Sequence, residues 1–334
     1  MNILLTSVGR RAYLVKYFKE ALGTNGQVHI CNSDDNTVSF HYADKGVVSP
    51  LIYDQEYIPF LLDYCKENKI DVLISLFDID LLPLAINKQK FAEIGTKVVV
   101  SDPDLISVCN DKWKTYLFLD EKGFNVPKTY LTLQKTMAAL DSGELKYPII
   151  IKPRFGCGSI AMSVAEDEME LLCYFRRNTR TINRSYLKYE SAAEDEKIIY
   201  QECLCGQEYG VDIINDLNGV YQNAIVRKKI AMRSGETDIA EIVDEPEILK
   251  EVTRLGKMTG HIGNMDCDAF LVDGKPYILE MNARFGGGYP FSHIGGCNLP
   301  KAIVAWAKNE NVEKNLLEAK IGTRAFKELA ITKV

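Results

Sequence analysis

A chain of 334 residues is long enough for two or three subdomains that each bury a core without disulfides. With 46% hydrophobic and 26% charged residues it fits neither a disordered nor a fibrous class, and a net charge of −6 with a pI near 5.5 argues against nucleic acid, whose nonspecific binding needs a basic face. Nine cysteines without zinc-ligand spacing read as core thiols in a reducing compartment, and no run approaches the roughly 18 apolar residues of a membrane span, so a cytoplasmic protein with no membrane partner is expected.

The first hundred residues alternate short apolar runs with amphipathic ones. Strands are expected at 3–8, 28–32, 72–76 and 98–100, and helices at 10–22 and 57–68. Such alternation predicts a parallel sheet with helices on both faces. The first strand-to-helix turn reads Thr6-Ser-Val-Gly9-Arg-Arg11; it lacks the glycines that let a backbone approach a pyrophosphate, which disfavours a nicotinamide or flavin site. Asp78 and Asp80 either touch a ligand at the C-terminal edge of the sheet or open the next helix, and the sequence leaves both readings open.

Beyond residue 101 the signals become capped helices, Asp102 before Pro103 and Asp111 before Lys112, the second helix running to Gly123. Strands follow Pro127, with Pro148-Ile-Ile-Ile-Lys152 the clearest. The polar stretch 178–196 shows little periodicity and reads as a loop, strands resume at Ile198, and a last helix is expected from Asn298-Leu-Pro300.

Two constellations carry chemistry. Lys152 ends an apolar strand and runs into Pro-Arg-Phe-Gly156-Cys-Gly158-Ser159, which is either a solvated turn or a loop whose backbone N–H groups meet phosphate oxygens beside a lysine. In residues 268–284, two apolar runs flank Asp273-Gly274, a hairpin signal. With a loop of Asp273, Gly274 and Lys275, Val272 pairs with Pro276 and Asp268 lies opposite Glu280. Facing carboxylates repel unless a cation sits between them, and Asn282, on the same face, adds a neutral oxygen suited to magnesium. Arg284 continues that face. The alternative is a surface hairpin with solvated carboxylates, which does not explain why Glu280 follows the buried-looking Tyr-Ile-Leu.

At these residues the chain resembles the ATP-grasp superfamily, in the style of its carbamoyl-phosphate synthase large-subunit-like and carboxylate-amine ligase branches. The resemblance implies an α/β ATP-grasp fold: an N-terminal doubly wound domain over 1–110, a small lid subdomain over 111–200, and a C-terminal antiparallel-sheet subdomain over 201–334. It implies that Lys112 and Lys152 bind phosphates, with Gly156, Gly158 and Ser159 forming the loop over the triphosphate. Gln201-Glu-Cys-Leu-Cys-Gly-Gln-Glu208 resembles the hinge, where backbone at Glu202, Cys203 and Leu204 reads the adenine and Glu208 takes the ribose hydroxyls. Asp268, Glu280 and Asn282 match the magnesium ligands, and Arg284 the arginine that steadies the transferring phosphoryl group. Ala161 stands where a glycine is frequent, and Asp268 where glutamate or glutamine is. In the run from Gly286 to Gly296, Gly287 and Gly288 suit backbone contacts to a substrate carboxylate, or form a plain flexible connection. Arg227 is preferred to Arg233 as a site residue, against the alternative of a solvated strand edge.

The implied activity is ATP-dependent joining of a small carboxylate and an amine through an acyl phosphate, with ATP and Mg2+ (Mn2+ substituting), in a homodimer. Rivals are bicarbonate activation to carboxyphosphate, a nucleotide-binding module without turnover, and a dehydrogenase.

Overall fold

The computed structural model describes residues 1–156, 160–190, 193–233 and 235–333. Its first sheet is parallel, built from β1 (Asn2–Thr6), β2 (Gln27–Asn32), β3 (Lys45–Val48), β4 (Val72–Ser75) and β5 (Lys97–Val98) in the order β3-β2-β1-β4-β5. Helices α1 (Ala12–Leu22), α2 (Ser39–Tyr42), α3 (Tyr57–Glu67), α4 (Asp78–Ile86) and α5 (Lys88–Glu93) connect its strands. Alternate residues of β1 enter different cores, Ile3 and Leu5 one and Leu4 another, so the strand is apolar throughout, as a parallel strand covered on both faces must be. The chain winds in opposite directions from β1 and β4, which opens a crevice at their C-terminal ends.

Two helices, α6 (Pro103–Asn110) and α7 (Lys112–Glu121), lead to a four-stranded antiparallel sheet of β6 (Thr129–Tyr130), β7 (Ile149–Pro153), β8 (Ser163–Ala165) and β9 (Ile198–Glu202), ordered β6-β9-β7-β8. With α8 (Leu133–Asp141) and α9 (Glu168–Arg184) it encloses its own core around Ile149, Ile151, Leu171, Ile182 and Tyr200. Here the loop expected over 178–196 is corrected: residues 178–184 finish α9, and 3₁₀ turns follow at Tyr186–Tyr189 and Glu194–Glu196. Asp167 caps α9 by accepting from Glu170 N at 2.8 Å. Leu171, Asn178 and Ile182 form its buried stripe, and the polar Asn178 in that stripe hides the period from the sequence.

The third sheet comprises β10 (Gln207–Asn215), β11 (Tyr221–Arg233), β12 (Glu236–Ile242), β13 (Asn264–Val272), β14 (Lys275–Asn282) and β15 (Arg324–Phe326), all antiparallel, ordered β14-β13-β10-β11-β12-β15. It is accompanied by α10 (Pro246–Thr259), α11 (Tyr289–Ile294) and α12 (Leu299–Ala307). One face is apolar: Tyr209, Val211, Met265, Cys267, Ala269, Ile278 and Met281 pack on Ile248, Val252 and Leu255 of α10, in a core continuous with Leu4 and Leu73 of the first sheet. The period of two then forces the intervening residues onto the opposite face, and these are charged. Among the described residues no helix is long and apolar enough to cross a membrane.

Candidate active site

The hairpin sets the geometry. Asp273 and Gly274 both have positive φ, 48° and 75°, so the loop has two residues and Val272 pairs with Lys275, not with Pro276 as expected from sequence. A bulge at Leu279 then shifts the register by one, and Asp268 lies opposite Glu280 after all, with Asp266 opposite Asn282. Two departures from the simple hairpin cancel where the carboxylates meet.

Across the sheet the polar residues fall into rows. Arg227, Gly210, Asp268 and Glu280 form one row, with Lys229 and Glu208 on one side of it and Asp212, Asp266 and Asn282 on the other. A β-carbon built at Gly210 would lie 3.2 Å from Arg227 Nη2 and 3.3 Å from Lys229 Cε. The bare glycine thus lets both long side chains cross β10 toward the acids of β13. Lys229 Nζ lies 2.7 Å from both Glu208 Oε1 and Asp268 Oδ1; burial disfavours its charge, but the two acids outweigh this and raise its pKa. Arg227 donates to Asp212 and, at 2.7 Å, to Ser292 Oγ. Its Nη2 is 3.6 Å from Asp266 Oδ1.

The smaller sheet covers this face. Asp111 caps α7 by accepting from Trp113 N at 3.0 Å, and it takes a bidentate pair from Arg154 Nε and Nη2, each at 2.8 Å. Lys112 N also donates to Arg154 O at 3.0 Å. These bonds fasten the start of α7 to the end of β7 and bring both predicted lysines into one cavity. Lys112 Nζ donates to Gly156 O and lies 3.4 Å from Glu280 Oε1. Lys152 is 7% exposed, and its ammonium forms no hydrogen bond or ion pair with any described residue. Burial, only partly opposed by Glu280, pulls its pKa down to about 8.

The cavity between the two antiparallel sheets measures about 500 Å3. Of the residues expected from sequence, Lys112, Lys152, Gly156 and Glu208 line it, as do Asp268, Glu280, Asn282 and Arg284, and Arg227, Gly287 and Gly288. Arg233 is instead half-exposed and paired with Asp238 at 2.6 Å. Glu202, Cys203 and Leu204 do not line the cavity; Glu202 N donates to Lys128 O at 2.8 Å, so its N–H is already committed, and the other two residues follow β9. Gly158 and Ser159 lie outside the described residues.

Arg284 faces more than the ligand space. It is 7% exposed, with Nη2 2.9 Å from Asp78 Oδ2 and Nη1 3.3 Å from Asp266 Oδ2. Asp78 therefore both opens α4 and touches the site, through an arginine 206 residues away. Asp80 has a different fate: fully buried, it accepts hydroxyl hydrogen bonds from Thr6, Ser7, Tyr57 and Ser75. Asp266 and Lys229 were not singled out from the sequence. Each sits two residues from a residue that was, Asp268 and Arg227, and strand alternation is the signal that could have found them.

The donor set of Asp268, Glu280 and Asn282 is all oxygen and fits a hard divalent cation. Among the described residues no three His, Cys, Asp or Glu side chains converge on a point, so the protein offers a partial shell that a ligand's own oxygens would complete.

The PylC-like N-terminal domain family matches residues 3–99, and the ATP-grasp domain family matches residues 109–288, more than half of the chain. The carbamoyl phosphate synthase large chain of Methanosarcina barkeri is 23% identical over 282 residues, 79% of this chain but 25% of that protein, so the chain spans about a quarter of the length of this curated relative. Among solved structures, a biotin carboxylase from Campylobacter jejuni aligns with a TM-score of 0.73 at 17% identity, covering 97% of this chain and 74% of the other. An L-amino acid ligase from Bacillus licheniformis aligns with a TM-score of 0.68 at 20% identity, covering 96% and 76%. At such identities the structural likeness speaks for the fold, while the family match rests on the very segment that supplies both lysines, the facing carboxylates and the arginine beyond them; the chain belongs to the ATP-grasp family.

Proposed function

We propose that the protein is an ATP-dependent carboxylate-amine ligase: a small carboxylate takes the γ-phosphoryl group of ATP to give an acyl phosphate and ADP, and an amine then displaces phosphate to form an amide. The observation that carries this reading is Lys152, a buried ammonium without an ion pair among the described residues, in a cavity shared with Lys112 and a facing carboxylate pair. A buried cation left in that state needs an anion to hold its charge, and a triphosphate supplies one.

Lys112 and Lys152 would hold the phosphates together with backbone at Gly156, Gly158 and Ser159. Glu208 would take the ribose, and Cys203 and Leu204, with Glu202 at the strand end, the adenine. Asp268, Glu280 and Asn282 would hold Mg2+, or Mn2+ in its place, which supplies charge neutralisation at the phosphates. Arg284 would stabilise the phosphoryl group in transfer, while Arg227, Gly287 and Gly288 border the acceptor. Such a site works by positioning and charge and needs no side-chain nucleophile. The partition of the chain at residues 110 and 200, its assembly as a homodimer and a cytoplasmic setting belong to the same proposal. A second reading, activation of bicarbonate, is favoured by the likeness to a carbamoyl phosphate synthase large chain. ADP release that requires bicarbonate and ammonia, and no other acid, would select it.

Lys152 gives the test. Its charged form binds the triphosphate, so nucleotide affinity holds below pH 8 and falls as pH rises through Lys152's depressed pKa. Calorimetric titration with Mg-ATP is expected to show about ten-fold weaker binding at pH 9 than at pH 7, following the protonated fraction one unit above that pKa, with net proton uptake at pH 8. Lys152→Arg should flatten the dependence, because arginine stays charged. Binding of NADH in place of Mg-ATP would overturn the nucleotide assignment, and an affinity unchanged between pH 7 and 9 would remove Lys152 from it.

A further inference from the structure

The acceptor end of the cavity is walled partly by the first domain. The crevice between the ends of β1 and β4 is where an open parallel sheet offers ligands a place, and here it faces the charged side of the six-stranded sheet through Asp78 and Arg284. The cations at this end mostly have partners. Arg284 is paired with Asp78 and Asp266, Arg227 with Asp212, and Lys327 with Glu236 at 3.0 Å. Arg11, in the turn after β1, also lines the cavity, and its guanidinium makes no hydrogen bond or ion pair with any described residue.

The turn that carries Arg11 is held rigidly. Ser7 has a φ of 53°, a costly conformation for a side chain, and it is fixed by its N–H to Cys31 O at 2.9 Å and its hydroxyl to Asp80 at 3.2 Å. Ser39 Oγ donates to Gly9 O at 2.6 Å, and Arg11 N to Val8 O at 3.0 Å. This gives the buried Asp80 a purpose: with four hydroxyl donors it ties the ends of β1 and β4 together beneath the turn. A guanidinium presented from so fixed a backbone, unpaired and half-buried, is a preorganised anion contact. Burial opposes ionisation of Glu236 and Asp78, but Lys327 outweighs it to hold the first carboxyl below its ordinary range, and Arg284 does the same for the second; Arg11 adds to both effects, which sets it near these two acids though in an ion pair with neither.

We propose that Arg11 binds the carboxylate of the acceptor substrate, so that the first domain, and not the ATP-binding sheets alone, selects which acid is activated. This rests on the ligase reading above. Arg284 is already paired with two acids, whereas Arg11, though near Asp78 and Glu236, is in an ion pair with no described residue and so keeps its hydrogen-bond donors for a carboxylate. The substrate class is a small carboxylic acid whose anion reaches across from the phosphoryl group to the turn after β1.

Coupled-enzyme measurement of ADP release tests it, with acetate, succinate and a mixture of the protein L-amino acids as separate acid probes, hydroxylamine as the amine and saturating Mg-ATP. For the probe that stimulates release, Arg11→Ala is expected to raise the half-saturating acid concentration about ten- to a hundred-fold, with half-saturating ATP changed less than about two-fold and the Mg-ATP melting shift retained. Arg11→Lys should recover part of the loss by keeping the charge without the planar fork. Stimulation by succinate but not acetate would place Arg11 on a second carboxylate, and stimulation by acetate would place it on the reacting one; both support the contact if Arg11→Ala raises the half-saturating concentration. An unchanged half-saturating acid concentration in Arg11→Ala overturns the assignment and leaves the ligase reading standing. No acid-stimulated release by the unaltered protein would bring down the ligase reading, and this inference with it.

Discussion

Glu280→Gln is expected to lower magnesium-dependent ADP release by at least about a hundred-fold while the protein stays folded. Glu280 faces Asp268 across the hairpin, and in the absence of an ion each carboxylate is answered by a lysine, Lys112 at 3.4 Å and Lys229 at 2.7 Å. Phosphates drawn to Lys112 compete for that lysine, and a divalent ion between the acids restores the balance. The amide variant keeps the shape; it removes one of two like charges but also the acid beside Lys112 and Lys152, and because these effects oppose one another the apoprotein should melt close to the parent. What it loses is the charge that holds the ion. Melting temperature and turnover measured across magnesium concentrations check this, and full ADP release at low magnesium would dismiss Glu280 as a ligand.

Arg284→Ala should cost both stability and turnover, and the two effects can be separated. Removing the guanidinium strands Asp78 and leaves Asp266 with Arg227 alone, and breaking a buried pair in this way typically costs about 3–5 kcal/mol. The dependence on pH carries the sign. Burial raises the pKa of Asp78 but Arg284 outweighs it, so in the parent this carboxyl titrates below its ordinary range and its contribution is present at neutral pH and lost on acidification. Without Arg284 burial dominates, the carboxyl protonates more readily, and the penalty shrinks as pH falls. Denaturant unfolding should therefore show a wider gap between parent and variant at pH 7.5 than at pH 5. An equal gap at both would mean that Asp78 is not stranded. Adding Asp78→Asn to Arg284→Ala should recover part of the stability but not the turnover, which stays about a hundred-fold down if Arg284 also acts on the phosphoryl group in transfer. Recovery of turnover together with stability would confine Arg284 to pairing.

Much of this site was legible because β-strand chemistry is local. The alternation of Asp268-Ala-Phe and Leu-Glu280-Met-Asn282, with Asp273-Gly274 between, marks a hairpin with a carboxylate on each strand, but the two acids come face to face only because the shorter loop and a bulge offset each other; Asp111 before Lys112 names a helix cap. The bulge at Leu279 was not legible, since it depends on how β14 meets β13 and on Asn125, whose backbone carbonyl accepts from Ile278 N at 3.0 Å. Nor were the partners of Arg284 and Arg227. Asp78 and Asp212 are far from them in sequence or on another strand, and only the meeting of the first and third sheets brings Asp78 to Arg284. Asn178 misled in the other direction: an amide in the buried stripe of α9 made a helix read as a loop.

The central claim is that a carboxylate becomes an acyl phosphate at the expense of ATP. It is tested most directly by incubating the protein with Mg-ATP, acid and hydroxylamine, and measuring hydroxamate against ADP for the acid that stimulates release. Hydroxamate formed in equal amount to ADP, with at least about a hundred-fold less in Glu280→Gln, is the expected result. AMP and pyrophosphate as the products, or ADP released with no hydroxamate from any acid, would contradict it.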